Sequence, residues 1–248
     1  MAKVTTVLVT GATGSIGRDL CPRLAERFQV RSGVRRDVSD FQPPLPNPVY
    51  CNIRDFDSLL KAMEGVEAVV HLAAQSWEND VYEYMIPDNI TGCYNVFEAA
   101  RRVGVKRVVF ASTNHVVGGY LKEGKPVTED VPVRPDTIYA VTKVFGEALG
   151  RYYAEYHGLS VIAVRIGWFL HPEAEPLQKG HPAARHMWLS PRDCAQLMTR
   201  CLEAENITFA IVHGISNNAR QLMLLERTKQ LLGYAPEDDA ERYVQQRE

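Results

Sequence analysis

The amino-acid sequence predicts an α/β protein built on a doubly wound parallel sheet, with a small C-terminal region added to it. Two features carry this. Short apolar runs alternate with stretches of helical periodicity through the first two-thirds of the chain, and such alternation implies parallel strands joined by right-handed crossovers. The runs are also largely apolar, as strands buried on both faces are.

The first run, residues 5–9, enters a glycine-rich turn and then a helix marked by Ile16, Leu20, Leu24 and Phe28 at i, i+4 spacing. Strand-like runs follow at residues 29–34, 68–72 and 107–111, with a short one at 49–51. Helical stretches lie at 56–64 and 82–103, and a long helix at 137–156 precedes a strand at 160–166. The segment 37–48 holds four prolines and has a linker's composition, but its place between two strands of one sheet makes it a surface loop. Beyond Ile166 the rhythm loosens. Residues 171–187, rich in Pro, His and Ala, read as a surface loop. Helices at 191–204 and 220–232 flank a strand-like run at 209–213.

Composition removes several classes of function. The chain has 248 residues, 46% hydrophobic and 23% charged, ordinary values for a globular protein. A formal charge of −2, from 28 basic and 30 acidic residues, gives no reason to expect a nucleic-acid partner. No apolar run approaches the ~20 residues of a membrane span. Met1-Ala2-Lys3 passes directly into a strand-like run, without the features of a signal peptide. Five scattered cysteines without a C-x-x-C pair read as core residues in a reducing compartment, not as a disulfide framework or zinc site. The expectation is a cytoplasmic protein with no membrane, nucleic-acid or metal partner.

The turn after the first strand is Thr10-Gly11-Ala12-Thr13-Gly14-Ser15-Ile16-Gly17. Gly11 permits the tight turn, Gly14 lets the backbone approach a pyrophosphate, and Gly17 allows close helix–strand packing. The helix start then offers N–H groups and a positive dipole end to phosphates. In this strand–turn–helix context the triplet predicts dinucleotide binding and a Rossmann-like unit over residues 1–166, with 167–248 a small substrate-binding region packed on it.

The spacing is G-x-x-G-x-x-G, and here the sequence resembles the extended, epimerase-like branch of the short-chain dehydrogenase/reductases. Cofactor choice depends on the end of the second strand, where an acidic residue binds the ribose hydroxyls of NAD and arginine accommodates the phosphate of NADP. Val34 takes the usual acidic place and Arg35-Arg36 follow, a pair suited to phosphate; Asp37 would restore a ribose ligand if the register shifted. The charges favour NADP slightly, within an overall expectation of NAD(P). The resemblance also implies cofactor contacts from Thr13, Ser15, Ile16, Asn52, Ile53, Leu72, Ala73, Ala74, Asn89 and Ile166. His71, just before Leu72, is balanced between a role on the cofactor path and ordinary packing.

Tyr139-Ala140-Val141-Thr142-Lys143 places a tyrosine and a lysine on one helix face. A tyrosine with a pKa of ~10 is a poor base, and a neighbouring ammonium lowers that pKa. Alone the pair is a weak signal. Ser112 and Thr113, however, close a strand at the end where open α/β sheets present their sites, and Thr113 precedes Tyr139 by 26 residues. In the resembling family Thr113 and Tyr139 act on one hydroxyl, Tyr139 removing its proton, while Lys143 also contacts the cofactor; Thr113, Tyr139 and Lys143 are the expected catalytic set.

Asn114 and His115 stand where dehydratases of this branch carry an Asp-Glu pair, and only 82 residues follow Ile166, few for holding a nucleotide sugar. The strings Ala111 to Gly118, Arg134-Pro135-Asp136, Tyr139 to Gly146 and Val164 to Gly167 are similar to those of uronate dehydrogenases and related NAD(P)-dependent aldose dehydrogenases. Met187 to Cys194 and Leu232-Gly233-Tyr234 resemble an archaeal-type glucose-6-phosphate dehydrogenase of the same fold. The resemblance implies oxidation of the anomeric hydroxyl of a small sugar, sugar acid or sugar phosphate to a lactone. Ser76, Ser112, Asn114 and His115 would meet the sugar, and Arg185 would clamp a carboxylate or phosphate. His171, His181 and His186 are too irregularly spaced to read as a metal site. A nucleotide-sugar epimerase and a catalytically inactive NADP-sensing protein are the alternatives, and family members often pair through two long helices, which implies a homodimer or higher homo-oligomer.

Overall fold

The computed structural model describes residues 4–42, 44–77 and 80–244; Met1 to Lys3, and Pro43 of the proline-rich segment, lie outside them. The strands are β1 Thr6–Thr10, β2 Gln29–Val34, β3 Pro48–Tyr50, β4 Ala68–His71, β5 Arg107–Thr113, β6 Ser160–Ile166, β7 Trp168–Phe169, β8 Trp188–Leu189 and β9 Phe209–Gly214. The helices are α1 Ser15–Ala25, α2 Phe56–Met63, α3 Cys93–Val103, α4 Gly118–Leu121, α5 Ile138–His157, α6 Glu175–Gln178, α7 Pro182–Met187, α8 Pro191–Glu203 and α9 Glu226–Leu232. Seven strands form one sheet in the order β3-β2-β1-β4-β5-β6-β9, with every pairing parallel. Both faces of the central strands are covered, which is why β4, β5 and β6 are buried along their whole length. Val7, Val9, Val109, Ala111, Ile162 and Val164 enter the core with α1 and α8. Leu8, Val69, Val108, Phe110, Val161 and Ala163 alternate with them into the core under α2, α3 and α5.

After β1 the chain first builds outward to β2 and β3, then returns to lay β4 on the other side of β1. This reversal is where open α/β sheets form a crevice at the carboxyl ends of their strands. The stretch beyond Ile166 contributes to the same sheet, because β9 pairs with β6 along its length. The buried Arg107 guanidinium at the start of β5 donates to the carbonyls of Cys201 and Leu202, both at 3.1 Å, and to that of Ala204, gathering the free carbonyls at the end of α8.

Three expectations are corrected. The predicted helix over 82–103 begins as a wide π-type turn over Val81–Gly92, with Pro87 inside it, and becomes α-helical only at Cys93. Pro87 has no N–H for a regular i→i−4 bond. The predicted loop at 171–187 contains α6 and α7, each with a proline in its first turn, where the missing N–H does no harm. Their Leu177 and Ala184 are buried with Trp188 and Ala240 in a small core of their own. The predicted helix at 220–232 starts only at Glu226, because Val127 donates to Leu222 O and accepts from Leu224 N–H, holding that segment extended.

Candidate active site

The glycine turn lies at the sheet's reversal point. Gly11 has φ +73°, a left-handed conformation that glycine alone adopts freely, and a Cβ there would come within 2.7 Å of Ala73 N on the loop after β4. A Cβ on Gly17 would meet Gly11 O at 2.4 Å, so helix and turn lie too close for any side chain. Gly14 differs. A Cβ there would meet only Gly11 O at 3.3 Å, which leaves its outer side open. Gly14 is the N-cap of α1, no side chain caps the helix, and its first turn holds no acidic residue. Open N–H groups at a positive dipole end suit a pyrophosphate.

Three adjoining cavities run from this turn across the carboxyl ends of the strands. The first, of about 180 Å³, is lined by Gly11, Thr13, Gly14, Gly33, Val34, Arg35, Cys51, Ile53, Leu72, Ala73, Ala74 and Asp88. Arg35 reaches this wall; Arg36 and Asn52 do not. Asn52 sits in a turn before α2, where its Oδ1 accepts from Arg54 N–H at 3.1 Å. The carboxylate of Asp37, the rival ribose ligand, accepts from the N–H and hydroxyl of Ser39 at 3.0 and 3.2 Å.

The second cavity, of about 580 Å³, brings Gly14, Ser15, Ile16 and Gly17 together with Leu72, Ala74, Ser76, Thr113, Tyr139, Lys143 and Ile166. Sequence-distant residues meet here because β5 and β6 end side by side and Thr137 starts α5, its hydroxyl accepting from Ala140 N–H at 3.0 Å. Lys143 Nζ donates to Ala111 O at 2.8 Å and lies 5.5 Å from the centre of the Tyr139 ring. Thr113 Oγ1 donates to Asn114 Oδ1 at 3.2 Å and accepts from His115 N–H at 3.3 Å. Burial dominates both groups, pushing Tyr139 up to about 12 and Lys143 down to about 8.

Asn89 is tied into the framework. Its amide donates to Gln75 O at 2.8 Å and to Thr142 Oγ1 at 3.0 Å, and its Oδ1 accepts from Gln75 N–H at 2.8 Å. It thus holds the loop carrying Ser76 against α5. His71 is a core histidine, with its Nδ1 2.8 Å from Thr10 Oγ1 and its pKa pushed by burial to about 3.

The third cavity, of about 660 Å³ and more apolar, extends from Thr113, Gly167 and Trp168 to Asn114, His115, Asp136, His186 and Met187. Asn114 Nδ2 approaches Met187 Sδ at 3.7 Å. Two residues expected at the sugar are engaged elsewhere. The Ser112 hydroxyl, although at the wall of the second cavity, donates to Glu147 Oε1 at 2.6 Å. Arg185 is not among the residues lining this cavity and forms a two-pronged pair with Glu241 at 2.7 and 2.6 Å. Trp77 and Trp168 line the cleft without an assigned role from sequence, while Asp136 was noted only within a family-like string and His186 only within a histidine group too irregular for a metal. Among the described residues no group of three or more His, Cys, Asp and Glu could hold a metal ion, and no helix is long and apolar enough to cross a membrane.

Comparison with known proteins agrees with this architecture. The model of the NAD dependent epimerase/dehydratase family matches residues 7–188. The chain is 38% identical to an L-arabinose 1-dehydrogenase (NAD(P)(+)) of Haloferax volcanii, over 96% of this chain and 99% of that one. It is 35% identical to an NAD-dependent glucose-6-phosphate dehydrogenase of the same organism, over 96% and 95%. The crystal structure of uronate dehydrogenase from Agrobacterium tumefaciens matches with a TM-score of 0.83 at 33% identity, covering 96% of this chain and 86% of that one. With the glycine turn, the Tyr139–Lys143 pair and a seven-stranded parallel sheet in one chain, the protein belongs to the NAD dependent epimerase/dehydratase family, in the extended branch of the short-chain dehydrogenase/reductase fold.

Proposed function

We propose that the protein is an NAD(P)-dependent dehydrogenase that oxidises the anomeric hydroxyl of a small sugar, sugar acid or sugar phosphate to the lactone. The observation that carries this is the meeting of Thr113, Tyr139 and Lys143 in the same cavity as the glycine turn. The three relatives named above act on a neutral aldose, a sugar phosphate and a uronate, so they support a sugar and leave its class to the third cavity. The turn at Gly11–Gly17, with Ile53, Leu72 to Ala74 and Ile166, would hold the dinucleotide, whose nicotinamide, when bound, supplies the hydride acceptor. Arg35 at the wall of the first cavity, with Asp37 engaged by Ser39, supports NADP over NAD.

In this reading Tyr139 removes the proton of the anomeric hydroxyl and Thr113 hydrogen-bonds the same oxygen. Lys143, fixed by Ala111 O beside the Tyr139 ring, offsets the charge of the phenolate. Burial pushes Tyr139 up to about 12, so the phenolate, the form that accepts the substrate proton, depends on the positive charge of Lys143 beside it. The two residues therefore work as a unit. The test is NAD(P)H formation by the purified protein with both cofactors and a panel of neutral aldoses, uronates and glucose 6-phosphate. Turnover on one sugar that drops at least about a thousandfold in Tyr139→Phe, with cofactor still bound, supports the proposal. Turnover that survives in Tyr139→Phe sinks the assignment of the base. Silence across the panel with cofactor bound would favour the epimerase or the sensor.

A further inference from the structure

Asp136 has no part in the chemistry above, yet the substrate side of the cleft is built around it. Its carboxylate is 8% exposed, with Oδ1 2.8 Å from His115 Nδ1 and Oδ2 3.1 Å from Lys122 Nζ. Its own N–H donates to His115 O at 3.3 Å, so backbone and side chain grip the same histidine. A Cβ on Gly118 would fall 2.2–2.5 Å from the carboxylate atoms. Gly118 has φ −55°, which any residue adopts. The backbone does not require glycine there; the Asp136 carboxylate does. Burial opposes ionisation of Asp136, but the bonds from His115 and Lys122 outweigh it and hold its pKa below the ordinary carboxylate value.

A carboxylate against one ring nitrogen fixes both the tautomer and the orientation of an imidazole. With Nδ1 engaged, Nε2 is the ring nitrogen left for a ligand. The His115 side chain is 45% exposed and lines the third cavity together with Thr113 and Asp136. We propose that Asp136 is a positioning residue for sugar recognition: it holds His115 as the Nδ1–H tautomer so that Nε2 accepts a substrate hydroxyl, and Gly118 is the gap that admits it. This rests on the sugar-oxidation reading, with His115 meeting the substrate.

The experiment compares Asp136→Asn, Gly118→Ala, His115→Ala and the double variant Asp136→Asn/His115→Ala in steady-state turnover, with cofactor affinity and thermal midpoint as controls for folding. Asp136→Asn and Gly118→Ala should each raise KM for the sugar about tenfold, as loss of a hydrogen bond to a charged group does, and change kcat by less than about twofold. His115→Ala should raise KM as well, and Asp136→Asn should add nothing on top of it. A KM increase from Asp136→Asn that persists in the His115→Ala background would show that Asp136 acts elsewhere and overturn the proposal. Unchanged KM in both Asp136→Asn and Gly118→Ala would do the same. Long-range 1H–15N spectra of His115 give a second readout that needs no turnover. The Nδ1–H form is expected in the parent protein and its loss in both variants, and an Nε2–H form in the parent overturns the proposal even if a variant misfolds. Silence of the parent on every sugar would sink the function reading along with this one, whereas turnover with an unmoved KM sinks this one alone.

Discussion

Replacing Glu147 by glutamine isolates a buried ion pair. Glu147 and Arg165 have side chains 6% and 2% exposed, joined Nε to Oε1 and Nη2 to Oε2, both at 2.9 Å. The pair joins α5 to β6, and through the Ser112 hydroxyl it also reaches β5, so it ties together the three elements that carry Thr113, Tyr139, Lys143 and Ile166. Glu147→Gln removes the charge but keeps the shape. It leaves a guanidinium away from water with only Glu129 O, at 3.2 Å, and an amide oxygen as partners. Breaking a buried pair from one side costs about 3–5 kcal/mol. At about 2 °C per kcal/mol for a chain of this size, the thermal midpoint should fall by about 6–10 °C. The double replacement Glu147→Leu/Arg165→Met removes both charges and should recover most of the loss, because well-packed apolar groups of similar volume replace such pairs at little net cost. Calorimetry and urea unfolding at pH 7 read both, with an unchanged urea slope required before midpoints are compared. A single variant within about 1 kcal/mol of the parent, or a double as unstable as the single, would refute this account of the pair. Ser112→Ala separates structure from substrate contact: it should cost about 1–2 kcal/mol of stability and leave KM for the sugar unmoved. A KM increase would make Ser112 a sugar ligand after all.

The glycines of the turn should separate in the same way. Gly17→Ala, whose Cβ would sit 2.4 Å from Gly11 O, should destabilise the protein by about 1–3 kcal/mol and weaken cofactor binding, whereas Gly14→Ala, facing the cavity, should weaken cofactor binding with a midpoint near the parent's; cofactor titration beside thermal melts distinguishes them. Acid should destabilise the fold through His71 and His213, which burial pushes down to about 3 and about 4. The unfolded chain takes up their protons below about pH 6.5 and the folded chain does not. Stability is therefore full above that pH and falls as pH drops from about 6.5 towards 4, by up to about 1.4 kcal/mol per pH unit for each histidine. Urea midpoints at pH 7 and pH 5 read the decline, and a smaller decline in His71→Gln is the expected mark of that residue, separating it from any carboxylate.

The strands and the glycine turn were legible in the sequence because both are local. Residues 29–34 and 160–166 appear as strands at the predicted bounds, since a short strand-like run between helical stretches says where a strand lies whatever its neighbours are. Tyr139 and Lys143 are four apart on one helix, so their shared face needs no tertiary information. Prolines misled the prediction at 171–187, because the same residue that ends a helix also begins one, and only the burial of Leu177 and Ala184 shows which it does there.

By itself the sequence determined a parallel α/β sheet, a turn shaped for a dinucleotide and a tyrosine–lysine pair. Periodicity, backbone freedom and short spacings are written into neighbouring residues. Tertiary structure alone decided which polar groups remain free to meet a ligand. Arg185 is neutralised by Glu241 across 56 residues of chain, Ser112 is held by Glu147 across 35, and His115 is oriented by Asp136 across 21. It also decided how much water Tyr139 and Lys143 lose, which pushes the first up to about 12 and the second down to about 8. A charge or hydroxyl takes its role from the group opposite it and from the water it has lost, and both are properties of the packed chain.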